Sequence, residues 1–185
     1  MRRLAEQEQS DLNVLIPATW LHDCVAVCKK SGKRAQASTL SADAAIAWLR
    51  QEGYPEQHFD AIHHAIAAHS FSAGIPPQSL EAQVLQDADR LDALGAVGIA
   101  RTMMLGGQFG SMLAHPDEPF PETRARDDKQ YVVDHFYVKL LHLEKSFQTA
   151  SGRHEAAGRT QTMRTYLKRL AEEMGHAAKT RLMKA

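Results

Sequence analysis

Apolar residues recur at helical spacing along nearly the whole chain, and no alternation of period two persists for more than a few residues, so the pattern predicts an all-α fold. Residues 1–10 are polar and predict a frayed helical start. With Asp11 as N-cap, Leu12, Ile16, Trp20 and Val27 then fall on one face of a helix reaching Cys28; Asp23 stands in the middle of that stripe and His22 at its edge. Ser38 or Ser41 is placed to cap a second helix carrying Ala44, Ala45, Ile46, Trp48 and Leu49 and ending at Gly53. Pro55 suits the first turn of a third, running to about Ser70, in which Phe59, Ile62, Ile66 and His69 share the inner face and His64 points nearly opposite.

Ser79 opens a long helical stretch with Leu80, Val84, Ala88, Leu91 and Leu94. Helical phase turns Asp87 inward there and Asp89 outward. Gly95, Gly98, Gly106 and Gly107 permit close helix packing and then a break, and 106–126 reads as a loop long enough to be a lid or a site mouth. Asp127 or Asp128 is placed to cap the next helix, which extends to about Leu143. Its apolar face is Val132, Val133, Phe136, Leu140 and Leu143, beside a second stripe of Tyr131, His135, Lys139 and His142. From Ser151 a basic amphipathic helix turns Met163, Tyr166, Leu167, Leu170 and Met174 inward before a frayed tail. No internal repeat interrupts this order, which predicts one domain over 1–185 with its core between about 11 and 175.

Charge narrows the partners. Lysine plus arginine equals aspartate plus glutamate at 22 each, so no global positive field draws nucleic acid. No apolar run approaches the roughly 20 residues that span a bilayer, and the N-terminal residues lack the apolar centre of a signal peptide; a cytoplasmic location is expected. The two cysteines, Cys24 and Cys28, are too few for a structural zinc site and read as reduced, partly buried side chains.

Histidine changes the picture more. Ten histidines cluster around 58–69 and 135–154, which favours a metal or phosphoryl site. A carboxylate at Asp23 aimed into a core would cost several kcal/mol unless paired or bound to a cation, and a divalent metal meets that demand. An isolated His-Asp pair is far more often a turn aspartate beside a core histidine, so other segments must supply the remaining ligands. Lys29, Lys30, Lys33 and Arg34, one turn later, place a basic loop where a phosphate would be held.

The order His22-Asp23, then His64 and His69, then Asp87-Ala88-Asp89-Arg90-Leu91-Asp92-Ala93-Leu94-Gly95 resembles the HD-domain metal-dependent phosphohydrolase superfamily. The stretches from His64 to Ser72 and from Asp127 to Leu141 are similar to its YedJ-type branch, and the likeness runs from about Val14 to Leu170. The resemblance implies an all-α bundle holding a divalent cation through an H…HD…D set, and hydrolysis of phosphoester or phosphoanhydride bonds, often of nucleotides. On that likeness His22, Asp23 and Asp89 are the metal ligands, although helical phase prefers Asp87; a kink in the helix would re-aim Asp89. The family's first histidine has no counterpart, because no histidine precedes His22. The expectation is a chain lacking the N-terminal helix that would carry it, or a degenerate site, with weakened metal binding and a homodimer favoured by the exposed apolar surface.

A mixed histidine and carboxylate set suits Mn²⁺, Fe²⁺, Co²⁺, Ni²⁺ or Zn²⁺ better than Mg²⁺. Asp23 is expected to partner the attacking water, and His69 to act as an acid or as a ligand of a second metal. Lys29, Arg34, His64, His135 and Lys139 are expected to bind the phosphate of a small phosphorylated substrate such as a nucleotide. The competing class is a nucleotide-binding or regulatory module on the same fold without turnover.

Overall fold

The computed structural model describes residues 1–27 and 34–176, with Arg34 as backbone only. Eight α-helices are present among the described residues: α1 Arg2–Glu8, α2 Leu12–Leu21, α3 Ala37–Gln51, α4 Phe59–His69, α5 Leu80–Leu91, α6 Gly95–Gln108, α7 Val132–Val138 and α8 Ala150–Glu173. Short 3-10 turns at Arg34–Gln36, Glu56–His58, Phe71–Ala73 and Leu140–Ser146 connect or extend them. No strand forms among the described residues beyond one isolated bridge between Met112 and Tyr131, so the fold is all-α. No helix among them is long and apolar enough to cross a membrane.

The chain divides into two compact units. The first comprises Met1–Asp89 and Gln148–Gly152, the second Arg90–Phe147 and Arg153–Ala185. In the first, α4 packs on α3 and α2. Its core is built from Val14, Leu15 and Ala18 of α2, Ala42, Ala45 and Leu49 of α3, Phe59, Ile62 and Ile66 of α4, and Val84 and Leu85 of α5. Asp11 caps α2 by accepting from the Asn13 amide at 2.8 Å, and Ser79 caps α5 by accepting from the Ala82 amide at 3.1 Å.

The segment 148–152 is bound into this unit by carboxylates. Asp87, fully buried, accepts from the Gln148 amide at 2.9 Å, the Thr149 amide at 2.8 Å and the Thr149 hydroxyl at 2.7 Å. Glu8 accepts from the Ser151 amide at 2.7 Å. These acids satisfy the amides at the start of α8, which have no partner inside the helix and carry its positive dipole end.

The second unit packs α6 against α7, and the 3-10 turn Leu140–Ser146 against α7. Glycines permit close approach here: a Cβ on Gly106 would strike Val132 of α7, and one on Gly98 would strike the Ala93 carbonyl and the Met163 side chain. Loop 109–131 is tied down by backbone bonds from the Met112 amide to Gln130 at 3.0 Å and from the Val132 amide to Met112 at 2.9 Å. Behind it the wholly buried Asp134 receives Arg124 through two bonds of 2.6 Å and the Asp127 amide at 2.7 Å.

Several sequence expectations are corrected. Helix α2 stops at Leu21, so Asp23 is not on its stripe, and the buried face is Val14, Leu15 and Ala18 while Trp20 is 84% exposed. Apolar residues lie on most sides of α2, leaving its period unable to select the inner one. Ser38 and Ser41 are buried within α3 instead of capping it; the N-cap is Gln36. Helix α7 ends at Val138, because Lys139 leaves helical geometry (φ −130°, ψ −59°) and a 3-10 turn follows. Its N-cap is Tyr131; Asp127 instead accepts from the Lys129 and Gln130 amides in the preceding turn. Cys24 is exposed, and Met174 is exposed on α8.

Candidate metal centre

Two helix ends in the first unit each present a histidine with its outer nitrogen bare. His22 follows the last residue of α2 and its Nδ1 lies 2.8 Å from the Thr19 carbonyl oxygen. His69 is the last residue of α4 and its Nδ1 lies 2.6 Å from the Ile66 carbonyl oxygen. A carbonyl only accepts, so in both rings Nδ1 carries the proton, and in the neutral ring Nε2 keeps its lone pair. The same i to i−3 contact sets both tautomers, and a metal-ligating histidine needs its second nitrogen held in this way. The two rings meet edge to face with centroids 4.9 Å apart.

Asp23 lies between the two bare nitrogens. Its Oδ1 is 3.6 Å from His69 Nε2 and its Oδ2 is 3.8 Å from His22 Nε2. On the other side His22 Nε2 is 4.0 Å from Asp89 Oδ1. His69 is buried, whereas the Asp23 side chain is 76% exposed. The turn that carries Asp23 is pinned to α3, since the Val25 amide donates to the Ser41 hydroxyl at 3.2 Å and the Cys24 thiol approaches the Ser41 carbonyl at 3.5 Å.

Donor atoms of His22, Asp23 and His69 all lie within 4.8 Å of one another. Ligands about 2.1 Å from one cation stand about 3 to 4.2 Å apart, so the 3.6, 3.8 and 4.0 Å separations fit a common ion, and a pair at the 4.8 Å limit would have to close on it. The chemistry of the set fits as well: two neutral imidazole nitrogens and carboxylate oxygens match the borderline divalent metals. A cation here would be drawn by the convergence of donor atoms at an open surface, and not by an aspartate driven into the core.

The other expected site residues are placed as follows. Asp87 is inward on α5, its oxygens occupied by Gln148 and Thr149, and Asp89 is outward on the His22 side; α5 needs no kink to aim it. His64 Nε2 accepts from the Gln78 amide at 2.9 Å, so that ring fastens the loop before α5. His135 and Lys139 belong to the second unit, where His135 Nδ1 lies 3.0 Å from Asp128 and Lys139 is exposed. Lys29 and the side chain of Arg34 lie outside the described residues, as does Cys28. The carbonyls of Thr19 and Ile66 and the hydroxyl of Ser41 complete the site's support. Residue type gave no sign of the two carbonyls, since any residue has one.

Comparison with known proteins agrees with the residue order. Residues 1–94 match the sequence model of the HD domain. The chain is 31% identical over 175 residues to the YpgQ protein of Bacillus subtilis, covering 92% of this chain and 77% of that one. It is similar to the crystal structure of B. subtilis YpgQ in complex with ADP, with a TM-score of 0.70 at 32% identity over 92% of this chain and 79% of the other. A crystal structure of an HD-superfamily hydrolase from Bacillus thuringiensis gives a TM-score of 0.71 at 29% identity, over 96% and 80%.

Proposed function

This chain belongs to the HD-domain family and has the fold of HD-superfamily hydrolases, and from that premise we propose that it is a metal-dependent phosphohydrolase acting on phosphoester or phosphoanhydride bonds. The observation that carries the reading is the convergence of His22 Nε2, His69 Nε2 and the Asp23 carboxylate, with both ring Nδ1 atoms held by carbonyls. His22, Asp23 and His69 hold the cation and Asp89 completes the set from α5. When bound, a divalent ion there supplies an acidified water and a Lewis acid for a phosphoryl oxygen.

The exposed Asp23 is oriented by the Ser41 anchor and is the carboxylate free to take a proton from the attacking water. Buried His69 keeps the inner wall of the site dry and fixed. Lys29 and Arg34 are proposed for the phosphate because they supply positive charge and N–H donors, and for His64, His135 and Lys139 that role rests on the sequence alone. A nucleotide substrate is supported by the ADP complex of YpgQ.

The test is a hydrolysis screen with Mn²⁺ over nucleoside mono-, di- and triphosphates and generic phosphoesters, run beside Asp23→Asn. Phosphate release that needs Mn²⁺ and disappears in Asp23→Asn is expected. Absence of release with every substrate, or release unchanged in Asp23→Asn, overturns the reading. The ADP complex of YpgQ equally favours a nucleotide-binding module without turnover, which calorimetry with ADP would detect as binding in the absence of hydrolysis.

A further inference from the structure

The end of α4 is closed in an unusual way. The last four carbonyls of a helix have no partner inside it, and many helices resolve this with a left-handed residue, commonly glycine. Here the residue after His69 is Ser70 in extended conformation (φ −78°, ψ 127°), so that solution is absent. Three side chains take its place. His69 Nδ1 donates to Ile66 at 2.6 Å, the Ser38 hydroxyl of α3 donates to Ala67 at 2.9 Å, and the Gln86 side-chain amide of α5 donates to Ala68 at 2.8 Å.

Ser38 and Gln86 are both buried, and an apolar side chain at either place would strand a buried carbonyl. Gln86 is itself held, its Oε1 accepting from the Gln148 side chain at 3.3 Å, and the Gln148 main-chain amide rests on Asp87. A line of hydrogen bonds thus runs from Asp87 through Gln148 and Gln86 to the turn that carries His69.

We propose that Ser38 and Gln86 are positioning residues for His69, clamping the last turn of α4 so that its Nε2 faces Asp23. This rests on the metal reading of the His22, Asp23 and His69 cluster. The ring is anchored on the Ile66 carbonyl, and that carbonyl stays in place only while its two neighbours are held. A site loses function when its donors stray by more than about 0.5 Å, so a clamp one residue away on each carbonyl has a direct effect. Asp87 gains a role in the same line: it orders the backbone that presents Gln148 to Gln86.

The experiment uses the full chain with Ser38→Ala, Ser38→Thr and Gln86→Met, the last keeping side-chain length without the amide. In metal-free protein, two-bond ¹H–¹⁵N NMR reads the tautomer of each histidine. Mn²⁺ affinity is read from the EPR signal of the free ion. Ser38→Ala and Gln86→Met should replace the single Nδ1–H form of His69 by mixed tautomers, leave His22 unchanged, and weaken Mn²⁺ binding by about tenfold or more. Ser38→Thr, which keeps the hydroxyl, should restore both. If Gln86→Met does not fold, the Ser38 pair decides alone. Folded variants with parental His69 signals and Mn²⁺ affinity within twofold of the parent overturn the proposal. A parent chain that takes up no Mn²⁺ overturns the metal reading instead, and the His69 signals then judge positioning on their own.

Discussion

Asp134 in the second unit and Asp23 in the first are both carboxylates beside nitrogen, and their surroundings differ in kind. Asp134 is fully buried and meets two guanidinium N–H groups and a backbone amide, so its oxygens are answered by protons. Asp23 is exposed and meets two imidazole nitrogens whose Nδ1 partners are carbonyls, so in the neutral rings lone pair faces lone pair. Asp87 follows the first pattern and Asp89 leans to the second, although they stand two residues apart on α5. The contrast separates polar groups whose partners lie within the fold from polar groups that, on the proposed metal reading, wait for a ligand. Burial alone would have singled out Asp134 and Asp87, the two that are already satisfied.

The largest expected effect lies on the satisfied side. Arg124→Ala would leave the Asp134 carboxylate buried against one amide, and breaking a buried pair in this way costs about 3–5 kcal/mol. A urea midpoint falling accordingly at unchanged m-value is the expected result, and a shift of only a few tenths of a kcal/mol would show that water already reaches the pair. Asp87→Ala comes next. It strands the Gln148 and Thr149 amides and is expected to cost about 1–3 kcal/mol, with hydrogen exchange of residues 148–152 accelerating first. Gly152→Ala offers a second route to the same place, since a Cβ there would collide with Asp87 Oδ2.

On the unsatisfied side the signs change. Asp23→Asn removes no bond that the fold uses, so metal-free stability should move by less than about 0.5 kcal/mol. Stabilisation by Mn²⁺ should vanish: a ligand at one hundred times its Kd adds about 2.7 kcal/mol to the parent and would add nothing to the variant. Thermal unfolding with and without Mn²⁺ reads both. An Asp23→Asn chain that melts far below the parent without metal would move Asp23 to the structural class.

How far the sequence revealed this depends on local contrast. Helix α4 was legible, with Phe59, Ile62, Ile66 and His69 all buried, because Asp60, His63 and His64 mark a polar opposite side. Helix α2 is not, since apolar residues lie on both sides and the helical stripe puts Trp20 in the core although it is exposed. The end of α7 was missed because one further turn of 3-10 geometry keeps apolar residues near the spacing of an α-helix. At α5, helical phase sends Asp87 inward, as observed, while the family likeness points to Asp89, which lies outward on the His22 side. Which acid meets protons and which meets lone pairs depends on Thr149 and His22, remote in sequence from α5 and beyond the reach of periodicity.

The smallest effect tests whether a satisfied carboxylate can be recognised at the surface. Glu118, in loop 109–131, accepts from the Thr123 amide at 2.6 Å and the Thr123 hydroxyl at 2.8 Å, with the Glu122 amide at 2.7 Å. Donation from Thr123, backbone before side chain, holds its carboxyl down at about 2 against an ordinary 4.5. A folded-state value below the unfolded one means that the ionised form is preferred in the native loop. The contribution to stability is therefore complete above about pH 4.5 and is lost as pH falls from there towards 2. In ¹³C NMR the Glu118 carboxyl should titrate near 2. Thr123→Val, which removes the hydroxyl and keeps the amide, should raise the Glu118 midpoint only part of the way to 4.5, because the largest donor survives. A midpoint already near 4.5 in the parent would mean that the loop does not hold its carboxylate, and that the division drawn between satisfied and waiting acids applies only to buried groups.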